Sequence, residues 1–346
     1  MAPQLEMGLD TFGDVTNESD GTPVPYAQVL RNLVAQGVLA DRVGLDYIGV
    51  GEHHRKDFAV SAPEVVLAAI AAQTERIHVG TAVTVLSSDD PIRVFQRFAT
   101  LDGVSNGRAE IILGRGSFTE SFPLFGLDLA DYERLFEEKL ELFAAVRQQQ
   151  PVNWTGSTRP PVVDTSVYPT VENGLLHTWI GVGGSPESVV RTARYGFNLM
   201  LAIIGGEPAR FAPYVDLFHR ALAQFELPRS KIGVHSPGYI AETDEQAREE
   251  LWPHHSEMMR RIGKERGWGP MSRESFENEA DTGSLFVGSP ETVAQKIAVT
   301  ARVLALDRFD LKYSNGTLAH EKLMSSIELF GTVVAPRVRA LLAEEA

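Results

Sequence analysis

The sequence contains no cysteine. This excludes disulfides, thiolate nucleophiles and Cys-ligated zinc or iron–sulfur clusters, so any redox chemistry must come from a borrowed cofactor. Long apolar runs are also missing, and none approaches the roughly 18 residues of a membrane span. The opening stretch MAPQLEMGLDTFGD has neither a basic n-region nor an apolar h-region, so the expectation is a cytoplasmic chain. Basic residues are in deficit: 32 Lys and Arg stand against 46 Asp and Glu, a formal charge of −14. Nucleic acid and anionic membranes both require a basic footprint and are disfavoured as partners. There is no HExxH, no low-complexity segment and no close repeat.

What is present is a globular composition, 43% apolar and 23% charged over 346 residues, enough to bury a substantial core. Short apolar runs alternate with longer segments of helical period, the pattern of repeated βα units. Strands are expected at Leu5–Asp10, Tyr47–Val50, Ile77–Val83, Ala109–Leu113, Trp179–Val182, Asn198–Ile203, Lys231–Ala241 and Asp310–Ser314. Helices are expected at Tyr26–Val43, Pro63–Gln73, Ile92–Val104, Ala130–Gln148, Pro186–Tyr195, Ala209–Phe225, Asp244–Arg261, Pro290–Leu304 and His320–Leu342. Eight strand–helix units suit one closed α/β barrel, (β/α)8, over residues 1–346, with insertions after strands. Asp90-Pro91, Ser185-Pro186 and Ser289-Pro290 each read as a cap followed by Pro at the first helical position. Two excursions are expected, Gln150–Leu176 and Lys264 to Leu285.

In such a barrel the site lies beyond the C-terminal strand ends. Four clusters fall there: Glu52-His53-His54, Ala82 to Asp90, Arg115-Gly116-Ser117, and Gly183-Gly184-Ser185-Pro186-Glu187-Ser188. The last combines glycines with a Ser-Pro helix start whose free N–H groups favour an anion, phosphate above all. An ordinary capped turn has the same letters, as GSPET at 288–292 shows. Arg115 is placed to add a guanidinium beside that phosphate or to sit in a surface turn. Adjacent residues on an extended chain point in opposite directions, so His53 and His54 are ill disposed to grip one metal. One imidazole at the mouth as acid, base or hydrogen-bond donor, with the other packed, is the better division. His254-His255, in a polar helical stretch, are expected to be solvated, and His235 on its strand is a candidate core histidine.

Taken together, IGVGEHHRKDFAVSAP, VGTAVTVLSSDDPIRVFQRFATLDGVSNGR, IILGRGSF, WIGVGGSPESVVRTARYGF, LFVGSPETVAQKI and SIELFGTVVAPRVR resemble, in order and spacing, the motifs of the luciferase-like flavin monooxygenase superfamily. The resemblance implies a luciferase-like TIM barrel and FMN, used in reduced form and delivered by a separate flavin reductase, although some branches use a deazaflavin. It implies that Arg115, Gly183, Gly184, Ser185 and Ser188 hold the FMN phosphate. It also implies that His53 is the catalytic histidine and that Ala82–Val83 is a cis peptide near the flavin ring. The luciferase α chain has a reactive cysteine where this chain has Gly114, so light emission is not implied.

The expected activity is that of an oxidoreductase: a monooxygenase transferring one atom of O2 to a small organic substrate while the other leaves as water. The alternatives are a flavin- or deazaflavin-dependent reductase or dehydrogenase and a non-catalytic flavin-binding paralogue. A homodimer is expected, from the resemblance and from the apolar look of the helices at Pro63–Gln73 and Ile92–Val104. Lys264–Leu285 is expected to form a mobile lid over the site.

Overall fold

The computed structural model describes residues 4–18, 20–116 and 118–344. The strands are β1 (Glu6–Thr11), β2 (Tyr47–Val50), β3 (His78–Gly80), β4 (Thr84–Val85), β5 (Glu110–Gly114), β6 (Val152–Trp154), β7 (Val162–Thr165), β8 (His177–Val182), β9 (Asn198–Ala202), β10 (Ile232–Ile240), β11 (Phe286–Gly288) and β12 (Arg308–Lys312). The main sheet runs β3-β2-β1-β12-β10-β9-β8-β5-β4, and every pair in it is parallel. Val79 bridges to Ala109 in parallel sense, which joins β3 to the start of β5 and closes the ring. Because β3 and β4 together fill one place, the result is the (β/α)8 barrel.

Helices cover its outside: α1 (Tyr26–Arg42), α2 (Pro63–Ala71), α3 (Pro91–Ser105), α4 (Ser121–Leu124), α5 (Tyr132–Arg147), α6 (Pro186–Arg194), α7 (Ala212–Gln224), α8 (Asp244–Arg266), α9 (Arg273–Asp281), α10 (Pro290–Leu304), α11 (His320–Leu329) and α12 (Ala335–Ala343). The three caps form as their sequences require. Asp90 accepts from the N–H groups of Ile92 and Arg93 at 3.0 Å, Ser185 from Ser188 at 3.3 Å and Ser289 from Thr292 at 3.4 Å.

Strand alternation divides the interior in two. Met7, Leu9, Ile48, Val50, Ile111, Leu113, Ile180, Leu199, Leu201, Val234, Phe309 and Leu311 join the large core beneath the helices. Tyr47, Ile112, Trp179 and Met200 form a separate small cluster inside the barrel, with Val83 packed on it. Also inside, the Arg308 guanidinium lies 4.1 Å from the Tyr47 ring and 4.2 Å from Trp179, and it bonds to Glu110.

Four expectations are corrected. The third strand, predicted as Ile77–Val83, is two short pieces, because the chain turns at the cis Ala82–Val83 peptide. The excursion Gln150–Leu176 contains the antiparallel hairpin β6–β7. Lys264–Leu285 is not one loop: its start completes α8, its middle is α9 with Phe276 buried, and β11 follows and pairs with β10. The last predicted helix is divided by a π-helical stretch, Phe330–Val334, just ahead of Pro336, whose ring nitrogen has no hydrogen to donate.

Candidate active site

β2 delivers its histidine pair to the C-terminal mouth and separates the two rings. His53 lies among Phe12, Phe58 and Phe118, with ring centroids at 4.8, 4.6 and 4.8 Å. His54 turns the other way, its Nε2 3.6 Å from Glu52 and its ring edge-on to Phe125 at 5.0 Å. Their electrostatics diverge accordingly. Burial, with Lys312 and Arg55 nearby, pushes His53 down to about 3, so it is a neutral imidazole at physiological pH. Glu52 holds His54 above the ordinary histidine value. Gly51, just ahead of the pair, is required, since a Cβ there would stand 2.5 Å from the Phe12 ring and 2.6 Å from the Ala82 carbonyl oxygen.

The Ala82–Val83 peptide is cis, and Val83 packs on the small cluster inside the barrel. Val83 rests against Gly114 and Gly181, where added Cβ atoms would stand 2.6 and 3.2 Å from its methyl groups. These two glycines let Val83 form an apolar floor.

Arg115 follows β5 and meets the start of α6. Its Nη2 donates to Ser188 Oγ at 3.3 Å, while Nη1 bonds to Glu133. Ser188 is nearly buried, Ser185 is used as the cap and donates to Glu187 at 2.8 Å, and Gly184 has φ of +111°. Nothing lies within 4 Å of a Cβ added at Gly183. The turn is therefore an open cradle with one guanidinium and one hydroxyl converging on it, and those groups fit a phosphate. Its look-alike GSPET differs in a decisive way. There the Asp244 carboxylate already accepts from Ser289 N at 2.6 Å and from Thr292 Oγ1 at 2.9 Å, so an anion has no place. Ser117 lies outside the described residues.

The structure adds groups to the mouth, of which the sequence singles out only His235, as a candidate core histidine. Lys312 donates to both Asp14 oxygens at 3.1 Å, and its Nζ lies 5.1 Å over the Phe12 ring. His235 Nδ1 lies 2.7 Å from Asp10 Oδ2. The end of α8 leans over the same mouth: Arg55 forms a two-point pair with Glu265, and Arg266 lies 5.3 Å from the Phe118 ring and 5.2 Å from Trp268. An open groove of about 640 Å³ adjoins it, lined by Arg55, Thr119, Phe122, Pro123, Leu127 and Leu129 among others. The expectation for His254-His255 is corrected. His255 is buried, which lowers it to about 4, and His254 pairs with Thr317 Oγ1 at 2.8 Å. Among the described residues no group of three or more His, Asp or Glu is arranged to hold a metal, and no helix is long and apolar enough to cross a membrane.

Comparison with known proteins agrees with this architecture. The model of the luciferase-like monooxygenase family matches residues 11–307, and the chain belongs to that family. The N-acetyl-S-alkylcysteine monooxygenase of Bacillus subtilis is 31% identical over 188 residues, covering 52% of this chain and 53% of that protein. The chain spans about half the length or less of the curated relatives it matches. Among solved structures, the monooxygenase RslO1 from Streptomyces bottropensis superposes with a TM-score of 0.82 at 20% identity, covering 96% of this chain and 99% of that one. The oxygenating constituent of 3,6-diketocamphane monooxygenase from Pseudomonas putida, a type II Baeyer-Villiger enzyme in complex with FMN, superposes at 0.78 and 17% identity, covering 97% and 99%.

Proposed function

We propose that this chain is an oxidoreductase that binds FMN across the barrel mouth and oxygenates a small organic substrate. The observation that carries the reading is the Arg115–Ser188 contact at an unfilled glycine turn, 3.3 Å between a guanidinium nitrogen and a hydroxyl that would share one phosphate. Arg115, Gly183, Gly184, Ser185 and Ser188 would hold that phosphate in this reading, and Ala82, Val83 and the aromatic wall would receive the ring. Reduced FMN, brought by a separate reductase, supplies the two electrons that activate O2. The chain's own part is to orient the ring, exclude water and manage protons. Phe12, Phe58 and Phe118 make the wall beside His53 dry. His53, held neutral, offers the ring a hydrogen bond without adding charge. The groove beside Arg55 and Phe122 is the substrate entrance.

FMN titration by fluorescence tests the reading. Arg115→Ala removes a charge-assisted contact worth about 1.5–3 kcal/mol, so FMN binding should weaken roughly 10- to 150-fold. Unchanged affinity sinks the phosphate site. Mixing the reduced-FMN complex with O2 then separates oxygenase from reductase, since reoxidation slower than that of free reduced FMN supports the first. A chain that binds a deazaflavin in place of FMN supports the second.

A further inference from the structure

A second histidine stands at this mouth beside His53. His53 is walled by three aromatic rings, and no hydrogen bond joins its ring nitrogens to any described residue. His235 is built differently. It stands on β10 and reaches across the barrel interior, placing Nδ1 2.7 Å from Oδ2 of Asp10 on β1. Asp10 is fully buried, and its other oxygen has no hydrogen-bond partner among the described residues. It fits because β2 has glycine at 49, where an added Cβ would collide with Asp10 Oδ1. A buried carboxylate on Nδ1 fixes both the tilt of an imidazole and its tautomer, leaving Nε2 as the exchanging position. The His235 side chain keeps 12% of its surface open. Its ring lies 6.1 Å from Phe12, which also packs on His53.

We propose that His235, oriented by Asp10, is a proton-transferring residue of the site, giving and regaining a proton at Nε2. The proposal rests on the oxygenase reading above. In that reaction substrate-H, O2, two electrons from reduced FMN and two protons yield substrate-OH and water. His235 hands over one of those protons and recovers it from solvent. The charged and titratable groups around it are Asp10 on β1, its register partner Asp310 and Lys312 on β12, Asp14 holding Lys312, and His53 beyond Phe12. On β9 the matched position is Ala202, which carries no charge.

The test has two arms. In ¹⁵N-histidine-labelled protein without flavin, neutral His235 should appear as the Nδ1–H tautomer, and D10N should remove that preference. A neutral His235 protonated at Nε2 overturns the proposal. In stopped flow, reoxidation of bound reduced FMN by O2 should be pH-dependent in the wild type. H235Q should slow it about 100- to 10,000-fold and flatten the profile, with FMN affinity kept. If H235Q leaves the profile intact, the role is wrong, and H235N serves if H235Q is unstable. A wild-type chain that binds no flavin defeats the functional reading instead, while the NMR arm still decides the Asp10–His235 pair.

Discussion

Asp310 offers the sharpest stability experiment. It is fully buried inside the barrel, and neither carboxyl oxygen has a hydrogen-bond partner among the described residues. Arg308, whose charge favours the ionised form, is already committed to Glu110 and lies 3.3 Å from Glu6. Burial therefore dominates and pushes the Asp310 carboxyl well above the usual carboxylate range, with Asp10 adding to the rise. The folded chain then binds a proton that the unfolded chain releases above about pH 4. Stability from this group is complete below that value and is lost as pH rises toward the folded pKa, at about 1.4 kcal/mol per pH unit. Between pH 5 and 7 the loss amounts to about 2.7 kcal/mol if the proton stays on. Asp310→Asn keeps the shape and cannot titrate, so its unfolding free energy from urea melts should gain on the wild type by up to that amount over the same interval. Parallel midpoints from pH 5 to 7, or a variant that falls behind as pH rises, would show an ionised Asp310 and refute the reasoning.

Three further outcomes are expected. Glu133→Gln frees Arg115 of its exposed partner and should tighten FMN a few-fold by titration, whereas weaker binding would mean that Glu133 helps to shape the cradle. Sedimentation should find a dimer at micromolar concentration, and monomer alone would exclude it. Hydrogen exchange should be faster over 267–271 than in α9, and Trp268→Ala should raise uncoupled peroxide release under reduced FMN. An unchanged peroxide yield removes this segment from any shielding role.

The barrel was legible because its strands are buried on both faces and separated by capped helices, and that pattern survives in one sequence without tertiary information. Asp90, Ser185 and Ser289 fell where local chemistry put them. The cradle was half legible. Only the structure distinguishes GGSPES, open and beside Arg115, from GSPET, filled by Asp244, because the plug comes from 45 residues away. Helix α9 was hidden because few of its residues are apolar, and Phe276 alone is a large buried anchor. The apolar look of α2 and α3 proved mostly internal: Val66, Leu67, Ile70, Phe95, Phe98 and Leu101 pack inward, leaving Val65 and Val104 as large exposed apolar side chains.

The interior charges had a signal that motif inspection passes over. In RFDLKYS, residues 308–314, polar side chains alternate with Phe309, Leu311 and Tyr313, and in GLDTFGD Asp10 lies two residues from Gly8. On a surface strand such alternation means one wet face. In a barrel strand whose apolar face meets helices, it means that Arg308, Asp310 and Lys312 face the axis, and the opposing glycines state where the carboxylates go. Gly8 makes room for Asp310 and Gly49 for Asp10, since a Cβ at either would collide with the acid. Replacing either glycine by alanine should therefore destabilise the fold, although alanine restricts the unfolded chain and would otherwise stabilise it, because the displaced carboxyl has no wet direction in which to move. The same two glycines thus tie the buried column of charge to the orientation of His235, and so connect barrel stability to chemistry at the mouth.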